Sequence, residues 1–380
     1  MKRFVFLLVL LFVVPPALAC SICGGDFRSR PTLRQEGSTA RVVVFGKFAN
    51  ARLDPDPLSG MGTTELKIEQ VLKGGDHVAV GQSIRIPRYY PADPKGPTHA
   101  LAFFDLRGGK LEFAGVRAAS GDSIAKYLSG LLAIQTGEVG RLLNDCHRQL
   151  ENPDPDVAAD AFLELTRASD AEVGRAAKAF EPERFRRLLT NDKTPAERIG
   201  FIGFLLGCCG TDRDAESLLR LMKMHGANSP SALRGLMAGY ICLKPNDGWK
   251  RALDVIVDPH RGFLERHAIL GTVEFFWNWK PNENRDSLLL AMKAGIFESD
   301  LADIAVEDLR RWACWDLTKE ILSTFERKSH ESEIIRRAIL RYAIACPRPE
   351  ATRFVAEQKK RRPELVAEVE EALREEKIMK

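Results

Sequence analysis

The segment Cys20-Ser21-Ile22-Cys23 has the residue spacing with the clearest chemical use in this chain. Two thiolates separated by two residues can bind a metal together with two further ligands, or can cycle between a dithiol and a disulfide. His77 and His99 are the candidate additional ligands. A redox pair also needs a lowered thiolate pKa, commonly supplied by a helix amino terminus, and Gly24-Gly25-Asp26 predicts no helix there. We therefore interpret Cys20 and Cys23 first as a structural pair that fixes the amino terminus, with a metal or thiol site as the alternative.

The residues before this pair have the composition of an export signal. A basic start, Lys2-Arg3, precedes an apolar run from Phe4 to Val14, and Ala17-Leu18-Ala19 is a small-residue cleavage box. The run is shorter than the roughly 18 residues that read as a membrane span. Residues 1–19 are therefore predicted to be a signal peptide, and the mature chain to begin at Cys20 in the periplasm or the extracellular space. Lipidation of Cys20 is the alternative to simple cleavage.

The other six cysteines are scattered among apolar helical neighbours: Cys146, Cys208, Cys209, Cys242, Cys314 and Cys346. Free cysteine commonly serves as a small buried hydrophobe. We predict that role for all six, with a disulfide or a metal ligand at Cys208 or Cys209 as the alternative.

Overall composition is that of an ordinary globular protein. The 380 residues are 45% hydrophobic and 28% charged, which suits two to three domains. The formal net charge is +4, of which Lys2 and Arg3 supply two, and so small a charge argues against a nucleic-acid binder. The sequence has no Gly-x-Ser-x-Gly elbow, no His-Glu-x-x-His helix and no phosphate-binding loop. We accordingly expect no catalytic residues, no cofactor and no enzymatic activity.

Residues 20–121 are predicted to form a small β domain. Arg41 to Phe48 is a β-branched run, and Thr63 to Leu72 alternates apolar and polar side chains with the period of two of a half-buried strand. Three shorter strands are predicted at Ser83–Pro87, Ala100–Leu106 and Lys110–Ala114. Five strands of this size are typical of an OB-like β-barrel.

Two stretches of this domain have family-like motifs. Val42-Val43-Val44-Phe45-Gly46-Lys47 is similar to a "VVVxGK" strand, and Lys67-Ile68-Glu69-Gln70-Val71-Leu72-Lys73-Gly74 to an "xxIExVLKG" strand. Together with the amino-terminal Cys motif, they resemble the netrin-like family, which includes the tissue inhibitors of metalloproteinases. The resemblance implies that the amine and carbonyl of Cys20 would chelate a protease zinc. Residues 24–118 contain no cysteine, so the family's usual disulfide partners are missing.

From residue 122 to residue 380 the sequence predicts helices almost without interruption. Ser169-Asp170-Ala171-Glu172 and Thr194-Pro195-Ala196-Glu197 are capping boxes that mark two helix starts. A polar-polar-small-apolar-apolar core also recurs with a period of about 35 residues, and such a period predicts stacked helix pairs. Its copies are Ala159–Leu163, Arg198–Ile202, Leu233–Met237, Arg266–Leu270, Ile304–Asp308 and Arg336–Leu340.

These helices, notably Asn152-Pro153-Asp154-Pro155-Asp156-Val157-Ala158, resemble HEAT-like repeats. The resemblance implies an α-solenoid over residues 122–380. The predicted fold class is therefore α+β multidomain, with a small five-stranded OB-like β-barrel followed by an α-solenoid of HEAT-like helix pairs.

All five tryptophans lie in the helical region, where packing between repeats is their main predicted role. Trp312 and Trp315 are three residues apart beside Arg310 and Arg311, so we expect them on one helix face, and aromatic residues with arginine are typical of interface hot spots. These four residues are the candidate partner surface.

The sequence thus predicts an exported, non-catalytic protein-binding or scaffold protein that uses a solenoid surface. Its partner is an unidentified protein, and membrane contact is expected only through lipidation of Cys20. The alternative is a metalloprotease-inhibitor-like activity, or a metal or thiol site, at Cys20 and Cys23.

Overall fold

The computed structural model describes residues 30–54, 62–90, 98–225 and 229–378. The predictions made for residues 1–19, Cys20 and Cys23 lie outside these ranges. The first part of the chain forms, in order, α1 (Leu33–Thr39), β1 (Val42–Leu53), β2 (Gly62–Lys73), β3 (Ser83–Ile86), β4 (His99–Arg107) and β5 (Lys110–Ala119).

The five predicted strands are confirmed, and they form one antiparallel sheet in the order β3-β2-β1-β4-β5. The predicted closure into a barrel is not supported, because the sheet is open. Its two edges are β3 and β5, and no described strand pairs one edge with the other. The edge strand β3 is only four residues long and pairs with β2 alone, over Thr64 to Lys67, so little backbone is available to close the sheet.

Both faces of the central strands are buried. Val43 and Phe45 of β1 face the core that the sheet shares with the helices, whereas Val42 and Val44 face a second, smaller core with Leu66 and its neighbours. Because successive side chains of a strand point to opposite faces, burial on both sides requires a continuous apolar run. This explains why Val42 to Phe45 reads as an unbroken β-branched and aromatic stretch.

The helical part begins a few residues after β5. It consists of α2 (Ser123–Leu132), α3 (Val139–Gln149), α4 (Pro155–Arg167), α5 (Asp170–Ala177), α6 (Pro182–Thr190), α7 (Ala196–Cys209), α8 (Asp212–His225), α9 (Pro230–Leu243), α10 (Pro245–Val257), α11 (Phe263–Trp279), α12 (Arg285–Phe297), α13 (Ala302–Arg311), α14 (Thr318–Thr324), a 3₁₀ helix (Lys328–His330), α15 (Glu333–Ala345), α16 (Pro349–Arg361) and α17 (Pro363–Ile378).

One of the two predicted capping boxes is confirmed. The Ser169 hydroxyl accepts from the backbone N–H of Glu172, whose carboxylate accepts from the backbone N–H of Ser169. The box at Thr194 is wrong. Pro195 is the residue that precedes α7, and the Thr194 hydroxyl instead donates to the backbone carbonyl of Leu188 at 2.6 Å. The Thr194 hydroxyl therefore caps the end of the preceding helix, α6, whereas the sequence pattern predicted that it would cap the start of α7.

Alternate helices pack into two layers, which gives the helical part its repeat-like character. In one layer α7 packs on α9, α9 on α11 and α13 on α15, and in the other α10 packs on α12, α12 on α14 and α14 on α16. The recurrent sequence core from Arg198 onward falls in α7, α9, α11, α13 and α15. One helix of each successive pair therefore carries the repeated core.

The short helix α1 fastens the sheet to the helices. The backbone N–H of Leu33 donates to Asp160 Oδ1 of α4 at 2.9 Å, and the hydroxyl of Tyr127 donates to the other oxygen of the same carboxylate at 3.1 Å. Glu36 on α1 accepts two hydrogen bonds from the guanidinium of Arg117 on β5, at 2.9 and 2.6 Å. One helix therefore bonds to both neighbours, and apolar side chains of the sheet and of the first helices also form one continuous core.

Candidate functional site

The turns between successive helix pairs bring all five tryptophans to one edge of the helical array. Trp249 lies near the start of α10, Trp277 and Trp279 lie in the last turn of α11, and Trp312 and Trp315 lie between α13 and α14. We call this surface, made of Trp249, Trp277, Trp279, Trp312 and Trp315, the tryptophan rim.

The centre of the tryptophan rim is a stack of three flat groups. The rings of Trp277 and Trp312 are nearly parallel, with centroids 4.5 Å apart, and the guanidinium of Arg285 lies 4.8 Å from the Trp277 centroid. Arg285 also pairs with Asp316, which orients its guanidinium plane. An arginine over an indole gains about 0.5–2 kcal/mol, the more so as water is excluded. The turns α11–α12 and α13–α14 are therefore joined by side-chain stacking.

Trp249 and Trp315 pack against the helices at the same edge. The indole N–H of Trp249 donates to Asn284 Oδ1 at 3.0 Å, and its ring lies 5.2 Å from that of Phe276. Trp315 meets Tyr342 edge to face at 5.0 Å. These contacts bind the rim to the apolar core, as expected for tryptophans that pack between repeats.

Trp279 fills the gap between α11 and α5. Its ring lies so close to Gly174 of α5 that a Cβ there would overlap it, and it meets Phe204 of α7 edge to face at 5.8 Å. The ammonium of Lys280 lies 5.0 Å from its centroid. Trp279 thus holds three helices together while a cation covers its outer face.

Part of the tryptophan rim remains accessible to a partner. Trp249 is buried, whereas the other four indoles are only half-buried. The side chains of Arg285 and Asp316 are 38% and 44% exposed, so the stack is bordered by charges that water and a partner can reach. The rim therefore combines large aromatic area with both signs of charge.

The structure separates the four residues of the predicted partner surface. Arg310 has a side chain only 10% exposed, because it bonds to Glu307 and to Glu376 of α17. Arg311 is 61% exposed. The expectation that Trp312 and Trp315 share one helix face is wrong: α13 ends at Arg311, and Ala313 has a φ of 50°, in the left-handed region that ends helices.

The bonds of Arg310 belong to a cluster of two arginines and two glutamates. Arg341 bonds to the same two carboxylates, Glu307 and Glu376. Burial alone would raise the pKa of Glu307, but the hydrogen bonds from Arg310 and Arg341 outweigh it and lower that pKa. The four charges compensate one another, so this cluster ties α13, α15 and α17 together.

The described cysteines fall into two groups. Cys146, Cys314 and Cys346 are buried as predicted, whereas Cys208, Cys209 and Cys242 are only half-buried. Within residues 30–54, 62–90, 98–225 and 229–378, no cluster of three or more His, Cys, Asp or Glu side chains is arranged to hold a metal ion. His99, one of the predicted additional ligands for the Cys20 pair, stacks on Phe45 with 5.4 Å between centroids.

Arg285, Asp316 and the pairing of Trp277 with Trp312 were missed from the sequence. A usable signal exists: Trp249 and Asn284, which bond to each other, are 35 residues apart, and Trp277 and Trp312 have the same separation. Residues one period apart occupy equivalent places in neighbouring repeats and so lie side by side. Applying the period to single residues would have paired these side chains.

None of the helices in the described ranges is both long enough and apolar enough to cross a lipid bilayer. No family model, no curated protein and no solved structure matches this chain. A function is therefore proposed from the geometry of the chain's own surface.

Proposed function

We propose that the chain is an exported, non-catalytic protein-binding protein whose HEAT-like helical array presents the tryptophan rim to a protein partner. The observation that carries the proposal is the half-buried stack of Trp277, Trp312 and Arg285. Tryptophan and arginine are enriched among the residues that dominate binding energy at interfaces. An aromatic ring also offers a large contact area with few rotatable bonds, so little side-chain entropy is lost on binding.

The rim is also pre-organised. Trp277 and Trp312 come from different helix pairs, yet they are already stacked, and Arg285 is already held by Asp316. A partner would therefore not have to order these side chains, which removes a cost of roughly 0.5–1.5 kcal/mol for each flexible side chain. Stacked helix pairs supply the rigid, extended support that such a surface needs.

The amino-terminal part of the proposal concerns location. Residues 1–19 would direct export and be removed, leaving Cys20 as the first residue, free or lipid-anchored, in the periplasm or the extracellular space. The sheet, as a netrin-like domain of OB type, would hold this end of the chain. Support comes from α1, in which Glu36 accepts two hydrogen bonds from Arg117 of the edge strand β5.

A test requires a partner and a matched pair of variants. Cross-linking in cells followed by mass spectrometry identifies proteins joined to the rim, and titration calorimetry with the purified partner then measures affinity. We expect Trp277→Ala to weaken binding by about 30-fold or more, since hot-spot truncations cost about 2 kcal/mol or more. Phe263→Ala is the control, because Phe263 is an exposed aromatic at the opposite end of the same helix, α11.

Equal affinity for the Trp277→Ala and Phe263→Ala variants would reject the rim as the binding surface. The alternative function at Cys20 and Cys23 is separated by replacing both cysteines with Ser. That change should leave binding at the rim intact, whereas it would eliminate protease inhibition, metal uptake or thiol reactivity at the amino terminus.

A further inference from the structure

Two half-buried cysteines from neighbouring helix pairs face each other next to the tryptophan rim. Cys208 lies in the last turn of α7 and Cys242 in the last turn of α9, and their sulfur atoms are 4.0 Å apart. Both cysteines are among the residues that line a pocket of about 240 Å³, whose walls also include Trp279, Lys280 and Pro245. The pair therefore lies beside an open space at the protein surface.

The close approach of α7 and α9 explains why the sulfurs meet. Gly207 and Gly239 bring the two backbones into direct contact: a Cβ on Gly207 would lie 2.5 Å from the carbonyl carbon of Gly239 and closer still to its Cα. Cys208 directly follows Gly207, and Cys242 lies three residues beyond Gly239. With no side chain between the helices at this level, the two cysteines are held at short range by backbone packing.

This geometry is close to that of a disulfide. A disulfide needs an S–S distance of about 2.05 Å with Cα atoms about 4.4–6.8 Å apart. The sulfurs must approach each other by roughly 2 Å, a movement that rotation about the Cα–Cβ bonds can supply. The backbones of the two helices are already in contact at Gly207 and Gly239, one and three residues from the two cysteines.

We propose that Cys208 and Cys242 are an oxidation site that closes to an inter-repeat disulfide by exchange with a small-molecule disulfide. One of the two thiols, as its thiolate, attacks a sulfur of the oxidant, which forms a mixed disulfide and releases one thiol of the oxidant. The second cysteine then attacks the protein sulfur of the mixed disulfide and releases the other. Two electrons pass to the oxidant, and the two cysteine protons end on its released thiols.

The neighbouring Cys209 is in a different position, although it adjoins Cys208 in the sequence. Its thiol donates to the backbone carbonyl of Leu205 at 3.2 Å, within its own helix. Burial raises the pKa of Cys209 to about 12 and raises the pKa of Cys208 as well. Closure at Cys208 is therefore expected to be faster at higher pH, where more thiolate forms.

The disulfide would join α7 to α9 covalently, next to the tryptophan rim. It would close a loop across the 34-residue separation of Cys208 and Cys242, which is one repeat. Cross-linking residues at such a separation restricts the unfolded chain and should lower the equilibrium constant of unfolding on the order of a hundredfold. The covalent link between α7 and α9 would then lie in the same pocket as Trp279 and Lys280.

The test uses the full mature chain equilibrated with mixtures of oxidised and reduced glutathione. Samples are quenched with acid, alkylated with N-ethylmaleimide, digested without reduction and analysed by mass spectrometry. We expect one cross-linked peptide that joins Cys208 to Cys242, together with a raised midpoint of thermal unfolding. Cys208→Ser and Cys242→Ser should each abolish that peptide, whereas Cys209→Ser, the matched control, should retain it.

Two results would overturn the choice of cysteines, and a third would overturn the closure step. One is that Cys208 and Cys242 both remain fully alkylated in the most oxidising mixture, with each Ser variant folded as judged by circular dichroism. The other is that the cross-linked peptide contains Cys209 in place of Cys208. Glutathione left attached to one cysteine without closure would also reject the intramolecular step.

Discussion

The contact between α7 and α9 gives the sharpest prediction about stability. A Cβ added at Gly235 of α9 would lie 2.8 Å from the Cα of Gly200 in α7 and closer still to its carbonyl group, whereas real Cβ atoms essentially never come within 3.0 Å of such atoms. The groups in the way are backbone, so no side chain can swing aside. The substitution Gly235→Ala must therefore push two buried helices apart.

The expected change in the free energy of unfolding is the difference between a gain in helix preference and a cost of overpacking. Alanine favours a helix over glycine by about 1 kcal/mol. Overpacking a tight core costs about 1–3 kcal/mol, and we take the upper end because both sides of this contact are backbone. The free energy of unfolding of Gly235→Ala should thus fall by about 2 kcal/mol.

Gly130 of α2 is the matched control, since it is an exposed helical glycine at which a Cβ would meet nothing within 4 Å. Only the helix preference acts there, so Gly130→Ala should gain about 1 kcal/mol. Urea unfolding of both variants, followed by circular dichroism and tryptophan fluorescence, should shift the midpoint in opposite directions. A Gly235→Ala protein as stable as the Gly130→Ala protein would refute the close approach of α7 and α9.

Two further predictions concern buried polar groups. Burial lowers the pKa of His147 to about 4, below its unfolded value of about 6.5. Between these two pH values the unfolded chain binds more protons than the folded chain. The free energy of unfolding should therefore fall by up to about 3 kcal/mol as the pH falls from about 6.5 to about 4. Urea midpoints measured from pH 7 to pH 4 should show this loss, and His147→Leu should flatten it; an unchanged slope would contradict the assignment. Asp160→Ala leaves the N–H of Leu33 and the hydroxyl of Tyr127 without their acceptor, and should cost about 2–3 kcal/mol in urea unfolding. Adding Tyr127→Phe to that variant should recover part of the loss, and no recovery would argue against the hydrogen bond.

Local patterns were sufficient for the five strands and for the helical array after residue 122, whereas the short helix α1 was not predicted. The alternation from Thr63 to Leu72 predicted β2, and the helical spacing of apolar residues predicted the helical array. Both predictions are possible because the face to which a side chain points depends only on its position along the strand or helix. The period of the recurrent core predicted stacked helix pairs, and in the structure the copies from Arg198 onward fall in one helix of each pair. The capping box at Thr194 failed because α6 offered its hydroxyl another acceptor.

Contacts between distant residues decided the rest. The sequence predicted five strands, but the short β3 and the strand order leave the sheet open instead of closed. Similarly, Arg310 and Arg311 are adjacent, yet the carboxylate of Glu376, 66 residues from Arg310, helps to draw Arg310 inward while Arg311 stays exposed.

The sequence by itself therefore determined the five strands and the repeated helices after residue 122, since each follows from the spacing of apolar residues along the chain. Only the tertiary structure decided which side chains meet at the rim. Trp277 and Trp312 stack, and Cys208 faces Cys242, because helices from successive repeats end side by side. That adjacency is set by packing between helices, which the spacing of residues within one helix does not encode.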